Sequence, residues 1–134
     1  MAKSTDIRAA AAELFFLPVE TRVPLKFGPE TLTHVTCARV RLTVRLANGD
    51  NAIGWGETPL SVQWVWPSSL PYKPRHEALK QFCIWLAKAW AEFDVLGHPL
   101  ELGHDFQQTE LPRLLDTFNA DSPASEQMPW LAAL

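Results

Sequence analysis

The sequence predicts an α+β domain: a three-stranded antiparallel meander sheet followed by a small helical bundle packed on one face. Three observations predict it. Across residues 33–46, Val40, Leu42, Val44 and Leu46 alternate with Arg39, Arg41, Thr43 and Arg45. That is the period of a strand with one apolar face and one wet face. Asn48-Gly49 follows, and both residues tolerate the positive φ that a primed hairpin turn demands. Beyond residue 74 the period changes. Leu79, Phe82, Cys83, Leu86, Trp90 and Phe93 recur at helical spacing and make one apolar stripe.

The totals fit this class. A chain of 134 residues, 47% hydrophobic and 20% charged, fits one globular domain with a moderate core. A net charge of −3 with no basic stripe argues against a nucleic-acid partner. Cys37 and Cys83 are too few for a disulfide framework, and each stands where a free thiol acts as a small hydrophobe. A reduced, cytoplasmic protein is expected. Asp6, Arg8 and Glu13 break up the N-terminal apolar residues, so no signal-peptide core is present, and no run reaches membrane-spanning length.

Taken in order, residues 1–12 are small and mixed and read as a flexible segment. Leu14–Val19 is a short first strand. Pro24, Gly28 and Pro29 make residues 21–29 a loop that does not continue the ladder. The hairpin comes next and ends in Gly54-Trp55-Gly56-Glu57. Thr58–Pro74 reads as a long loop holding Trp64, Trp66 and Tyr72 among prolines. Loops of this length are often lids or binding loops, and tryptophans in them are expected to contact something. Pro74 suits the first turn of a helix. Ile84 and Trp85 widen that helix's stripe, so a second neighbour besides the sheet is expected. Gly97 and Pro99 end it. Residues 100–108 read as further helical turns and Leu111–Phe118 as a short helix, before a break at Asp121-Ser122-Pro123. Ser125 is then the expected cap of a last helix that continues beyond Leu134.

No catalytic or metal site stands out in the sequence. Glu57 reads as a structural carboxylate at a strand end. His34, His76, His98 and His104 do not cluster with the cysteines, although His98 and His104 loosely flank Glu101. There is no Ser-His-Asp arrangement and no glycine-rich phosphate loop. Arg22 and Lys26 are candidate anion contacts, with plain solvation as the alternative. No cofactor is assigned to this chain.

A resemblance adds to this reading. Arg22, Pro24, Leu25, Phe27 and Gly28, then Asn48-Gly49, then Gly54, Gly56 and Glu57 stand in a familiar order. So do His98-Pro99-Leu100-Glu101 and Pro129–Leu134. Over roughly residues 13 to 134 the chain resembles the N-terminal capping domain of the enolase superfamily, in the mandelate racemase/muconate lactonizing enzyme branch. The resemblance implies a capping domain at 13–124, with residues 125–134 leading into a catalytic barrel that is not in this chain. In that family the barrel carries the bases and the acidic ligands of Mg²⁺ for α-proton abstraction from a carboxylate substrate. Racemases, cycloisomerases and dehydratases share that scaffold. The chain alone is then expected to be inactive, and a homo-oligomer is expected. The cap would supply two substrate-selecting loops: residues 21–32, with Arg22, Lys26 and Phe27, and residues 55–70, with Trp55, Trp64 and Trp66. The alternative is a complete small α+β binding or interaction module that uses the tryptophan loop at 58–74.

Overall fold

The structure, a computed structural model, describes residues 1–27 and 30–134, with the backbone alone of Phe27. Among them, β1 (Ile7–Phe27), β2 (Glu30–Leu46) and β3 (Asn51–Pro59) form an antiparallel sheet in sequence order, the meander expected. Gly49 turns β2 into β3 with φ at +92°, a conformation that glycine adopts without a Cβ clash.

β1 is far longer than the sequence suggested. Residues 7–12, expected to be flexible, pair with Leu46 through Leu42 across an irregularity between Ala9 and Ala11. Backbone bonds between Ile7 and Gly97, at 2.9 and 3.1 Å, hold the start of the strand against the chain beyond the long helix. Pairing of this kind overrides the low strand preference of the alanines. At the other end, pairing lapses between Glu20 and Leu25 and resumes at Leu25↔Leu32 and Lys26↔Thr31. The expected loop at 21–29 is thus strand as far as Phe27, while Gly28 and Pro29 lie outside the described residues. Pro18 and Pro24 are tolerated because β1 is an edge strand, and Pro24 also sits in the unpaired gap.

Helices cover one face. A single turn, α1 (Val62–Val65), precedes the long α2 (Tyr72–Glu92), which lies mainly across β1. α3 (Pro99–Asp105), a π-helical turn (Phe106–Glu110) and α4 (Leu111–Asn119) form one continuous rod rather than the two separate pieces expected. Pro112 explains the π turn. It has no N–H to give, and its ring would crowd the carbonyl one turn back; the wider turn, with Leu111 N–H on Phe106 O, relieves both.

The core gathers Val62, Trp66, Leu79, Phe82, Leu114 and Met128 between α2, α4 and the sheet. α4 is the second neighbour that the wide stripe of α2 required: Phe118 takes Phe82 and Trp85 edge-on, with ring centroids 5.2 and 5.1 Å away. The last segment departs from expectation. Ser125 lies in a short 3-10 turn, Ala124–Glu126, and α5 spans only Trp130–Ala133 behind Pro129. Asn119 closes the intervening loop with two 2.9 Å bonds to the backbone of Met128. No helix among the described residues is long and apolar enough to cross a membrane.

Candidate functional site

The two segments expected to act as lid loops converge. The far end of the β1–β2 hairpin contributes Thr21, Leu25, Glu30, Leu32 and Val35; the last residue of β3 contributes Pro59, and the chain after it Ser61, Gln63, Trp64, Pro67 and Ser68. Together with Arg75 of α2 they enclose a cleft of about 610 Å³, a size that suits a small organic ligand. Thr21 ties the unpaired stretch of β1 to β2 by donating to the Thr33 carbonyl at 3.1 Å. The cleft wall therefore stays closed where the ladder lapses.

The six candidate residues part company. Trp64, 70% exposed, lines the cleft. Trp66, only two residues on, is 5% exposed and belongs to the core, which removes it from any ligand surface. The cause is the α1 turn, since residues i and i+4 of a helical turn share a face and i+2 points away. Val62 and Trp66 face inward and Trp64 faces out. The expected loop at 58–74 is therefore ordered by a helical turn, and α2 begins at Tyr72 rather than Pro74. Arg22 and Lys26 are exposed on β1 and outside the cleft. The side chain of Phe27 lies outside the described residues.

Trp55 points elsewhere. It sits on the sheet's outer face opposite Arg41, 62% exposed, with its ring 6.2 Å from Phe15. That face was expected to carry arginines in water. Instead Arg39 pairs with Glu57 at 2.5 Å and Arg41 with Glu13 at 3.2 Å, both with residues directly opposite on the neighbouring strand. Exposed pairs of this kind contribute about 0–1 kcal/mol each. Glu57, expected as a structural carboxylate, is engaged at the strand end in this cross-strand pair. Burial, followed by the charge of Glu57, raises the Cys37 thiol beside it.

Arg75 is the residue that sequence reasoning missed. It is 5% exposed, and its guanidinium donates from Nε to the Pro71 carbonyl at 3.3 Å and from Nη1 to the Trp66 carbonyl at 2.5 Å. No carboxylate among the described residues lies within ion-pair distance of it. A signal was present in the sequence: positions 71, 72, 78 and 79, its helical neighbours, hold no acid. Next to it, His76 fixes the start of α2 to the sheet, Nε2 lying 3.0 Å from Thr36 Oγ1 and the ring stacking on Tyr72 at 5.4 Å. Burial lowers the His76 pKa, with Lys80 adding to the fall and Glu77 opposing it.

No group of three or more His, Cys, Asp or Glu side chains among the described residues could hold a metal ion. His98 and Glu101, which loosely suggested one, are a helix cap: His98 Nδ1 accepts from Leu100 N–H at 3.3 Å, and Glu101 accepts from His98 N–H at 3.4 Å. Compared with protein-family models, curated proteins and solved structures, the chain gives no match.

Proposed function

We propose that this chain is the substrate-selecting cap of an enolase-superfamily enzyme of the mandelate racemase/muconate lactonizing type. The single observation behind the proposal is the convergence of segments 21–35 and 59–68 on one apolar cleft. A cap of this kind closes over a barrel mouth, excludes water and grips the part of the substrate remote from the reacting carbon. Here Trp64, Leu25 and Leu32 would contact an apolar portion of a carboxylate substrate. The bases and the Mg²⁺ ligands belong to the barrel, and the described residues of this chain do not assemble a magnesium site.

Two measurements test the proposal. The coding sequence read past codon 134 should continue into alternating strands and helices, with acidic residues at strand ends and a Lys-x-Lys pair. The longer protein should then exchange the α-proton of a carboxylate in D₂O only with Mg²⁺ present. Trp64→Ala should change KM between bulky and small substrates by about 10-fold or more, the discrimination that pocket contacts give. The lack of any barrel, whether in the same chain or as a copurifying partner, would refute the cap.

A second reading has its own support. The cleft joins a single buried arginine to apolar and aromatic walls, as a small binding module would use. Under that reading the isolated chain binds its ligand unaided.

A further inference from the structure

The guanidinium of Arg75 has one nitrogen left over. Nε and Nη1 are engaged by the two backbone carbonyls, and Nη2 has no partner among the described residues. Among the described residues, every side-chain nitrogen or oxygen wholly shut off from water in a residue that is not exposed has such a partner. Nη2 is therefore open to solvent, and Arg75 lines the cleft. A buried arginine keeps its charge, and carbonyl dipoles supply no counter-charge. The cleft thus holds a desolvated positive charge with one free donor edge. Such a charge is costly until an anion meets it, and the interaction is stronger there than at the surface.

The remaining walls say what kind of anion. Leu25, Leu32, Val35, Pro59 and Trp64 are apolar or aromatic, so the body of the ligand is apolar. Glu30 also lines the cleft and disfavours a second negative charge on the ligand. Among the described residues, Arg75 alone brings a full positive charge to the space, too little for a phosphate dianion. We infer that the cleft binds an amphipathic monocarboxylate, its carboxylate on Arg75 Nη2 and its hydrocarbon or aryl tail against Leu32 and Trp64. The first turn of α2 reinforces the site. It contains no acidic residue and no side-chain cap, so the positive end of a 21-residue helix dipole stays uncompensated beside the arginine.

The inference rests on the second reading, a binding module that uses this cleft unaided, since a cap would leave the substrate's carboxylate to the barrel; every group it uses lies in this chain. The test is calorimetry on the 134-residue chain with three probes: 4-phenylbutyrate, the neutral 4-phenylbutanamide and acetate. Removing a charge-assisted hydrogen bond from a desolvated site weakens binding by about 10- to 100-fold. 4-Phenylbutyrate should bind saturably at one site, the amide at least about 10-fold more weakly, and acetate not measurably. Arg75→Met should bring acid and amide to within about two-fold of each other, since the charge that distinguishes them is gone. Should that variant fail to fold, Leu32→Trp keeps the arginine, fills the cleft and should weaken both phenyl probes. Equal binding of acid and amide to the unaltered chain, no binding of either, or unchanged acid binding by Leu32→Trp would each overturn the inference. Any of these results leaves the cap standing if a barrel follows codon 134. Conversely, the absence of a barrel leaves the carboxylate site standing if the acid is preferred.

Discussion

Trp64 and Trp66 stand two residues apart in sequence but have opposite places in the fold, so replacing each in turn separates packing from recognition. Trp66 is 5% exposed and packs in the core cluster, while Trp64 is 70% exposed on the cleft. Truncating a buried tryptophan to alanine costs about 3–5 kcal/mol, the transfer free energy plus the cavity left behind. Small domains are stable by about 5–15 kcal/mol, so Trp66→Ala should remove about a fifth or more of the total. The corresponding fall in Tm is about 10–20 °C for a chain of this size. Trp66 O also accepts from Arg75, so collapse around the cavity should weaken carboxylate binding even under conditions where the variant stays folded. Trp64→Ala should cost about 1 kcal/mol or less, as most exposed substitutions do, yet reduce binding of 4-phenylbutyrate. Urea titrations followed by far-UV circular dichroism measure the first effect and calorimetry the second. If Trp64→Ala destabilised the chain as much as Trp66→Ala, the assignment of the two rings to two faces of α1 would be wrong.

Two further predictions concern protonation. Unfolded, the His76 imidazole titrates near 6.5; folded, burial lowers it. Between those two pH values the unfolded chain binds more proton, so stability falls as pH falls. The contribution is fully present above about pH 6.5 and is lost as pH drops through the folded value. Urea midpoints at pH 7.5 and 5 should show this loss, and His76→Gln, which retains a hydrogen bond to Thr36, should lessen it; an identical pH slope in the variant would place the titration elsewhere. Burial pushes the Cys83 thiol up to about 11. At pH 8 only about 0.1% would be thiolate, against roughly a quarter for a free cysteine. Ellman's reagent should therefore find no fast thiol in the native chain and two in 6 M guanidinium, Cys37 being buried as well. The same shift means that stability declines as pH rises from about 9 towards 11, because the unfolded thiol ionises first. One rapidly labelled cysteine in the folded chain would contradict the burial.

What could be read in the sequence was local. The alternation of Val40, Leu42, Val44 and Leu46, the Asn48-Gly49 turn and the stripe from Leu79 to Phe93 each rest on a period that neighbouring residues impose on one another. The sheet order and the helical cover follow from them. What could not be read depends on distant partners. Ala9 to Ala12 carry no strand signal of their own and become strand because β2 pairs with them, while Gly97 holds Ile7 just before them. Arg39 and Arg41 look solvated until the register sets Glu57 and Glu13 beside them. The cleft was half legible, because prolines mark both of its loops and tryptophans the second. Its arginine was hidden inside a helix whose visible pattern was apolar.

The position of Arg75 follows from two interactions that also stabilise the domain. His76 joins the first turn of α2 to Thr36 of β2, one residue from Val35 in the cleft wall. Arg75 joins the same turn to the carbonyl of Trp66, whose ring is anchored in the core. With both in place, α2 cannot slide along the sheet without breaking a buried charge-assisted bond and moving a packed tryptophan. The floor of the cleft is thereby fixed to the core. Its rim, where Leu25 and Trp64 are 45% and 70% exposed, is carried by the hairpin and by the single helical turn of α1. A ligand gripped from both sides should therefore order the rim more than the floor. Hydrogen exchange with and without 4-phenylbutyrate can measure this: added protection should concentrate at residues 21–26 and 61–66, with little change across 75–82. Protection gained mainly in α2 would mean instead that the first turn of that helix, and with it Arg75, is not preorganised.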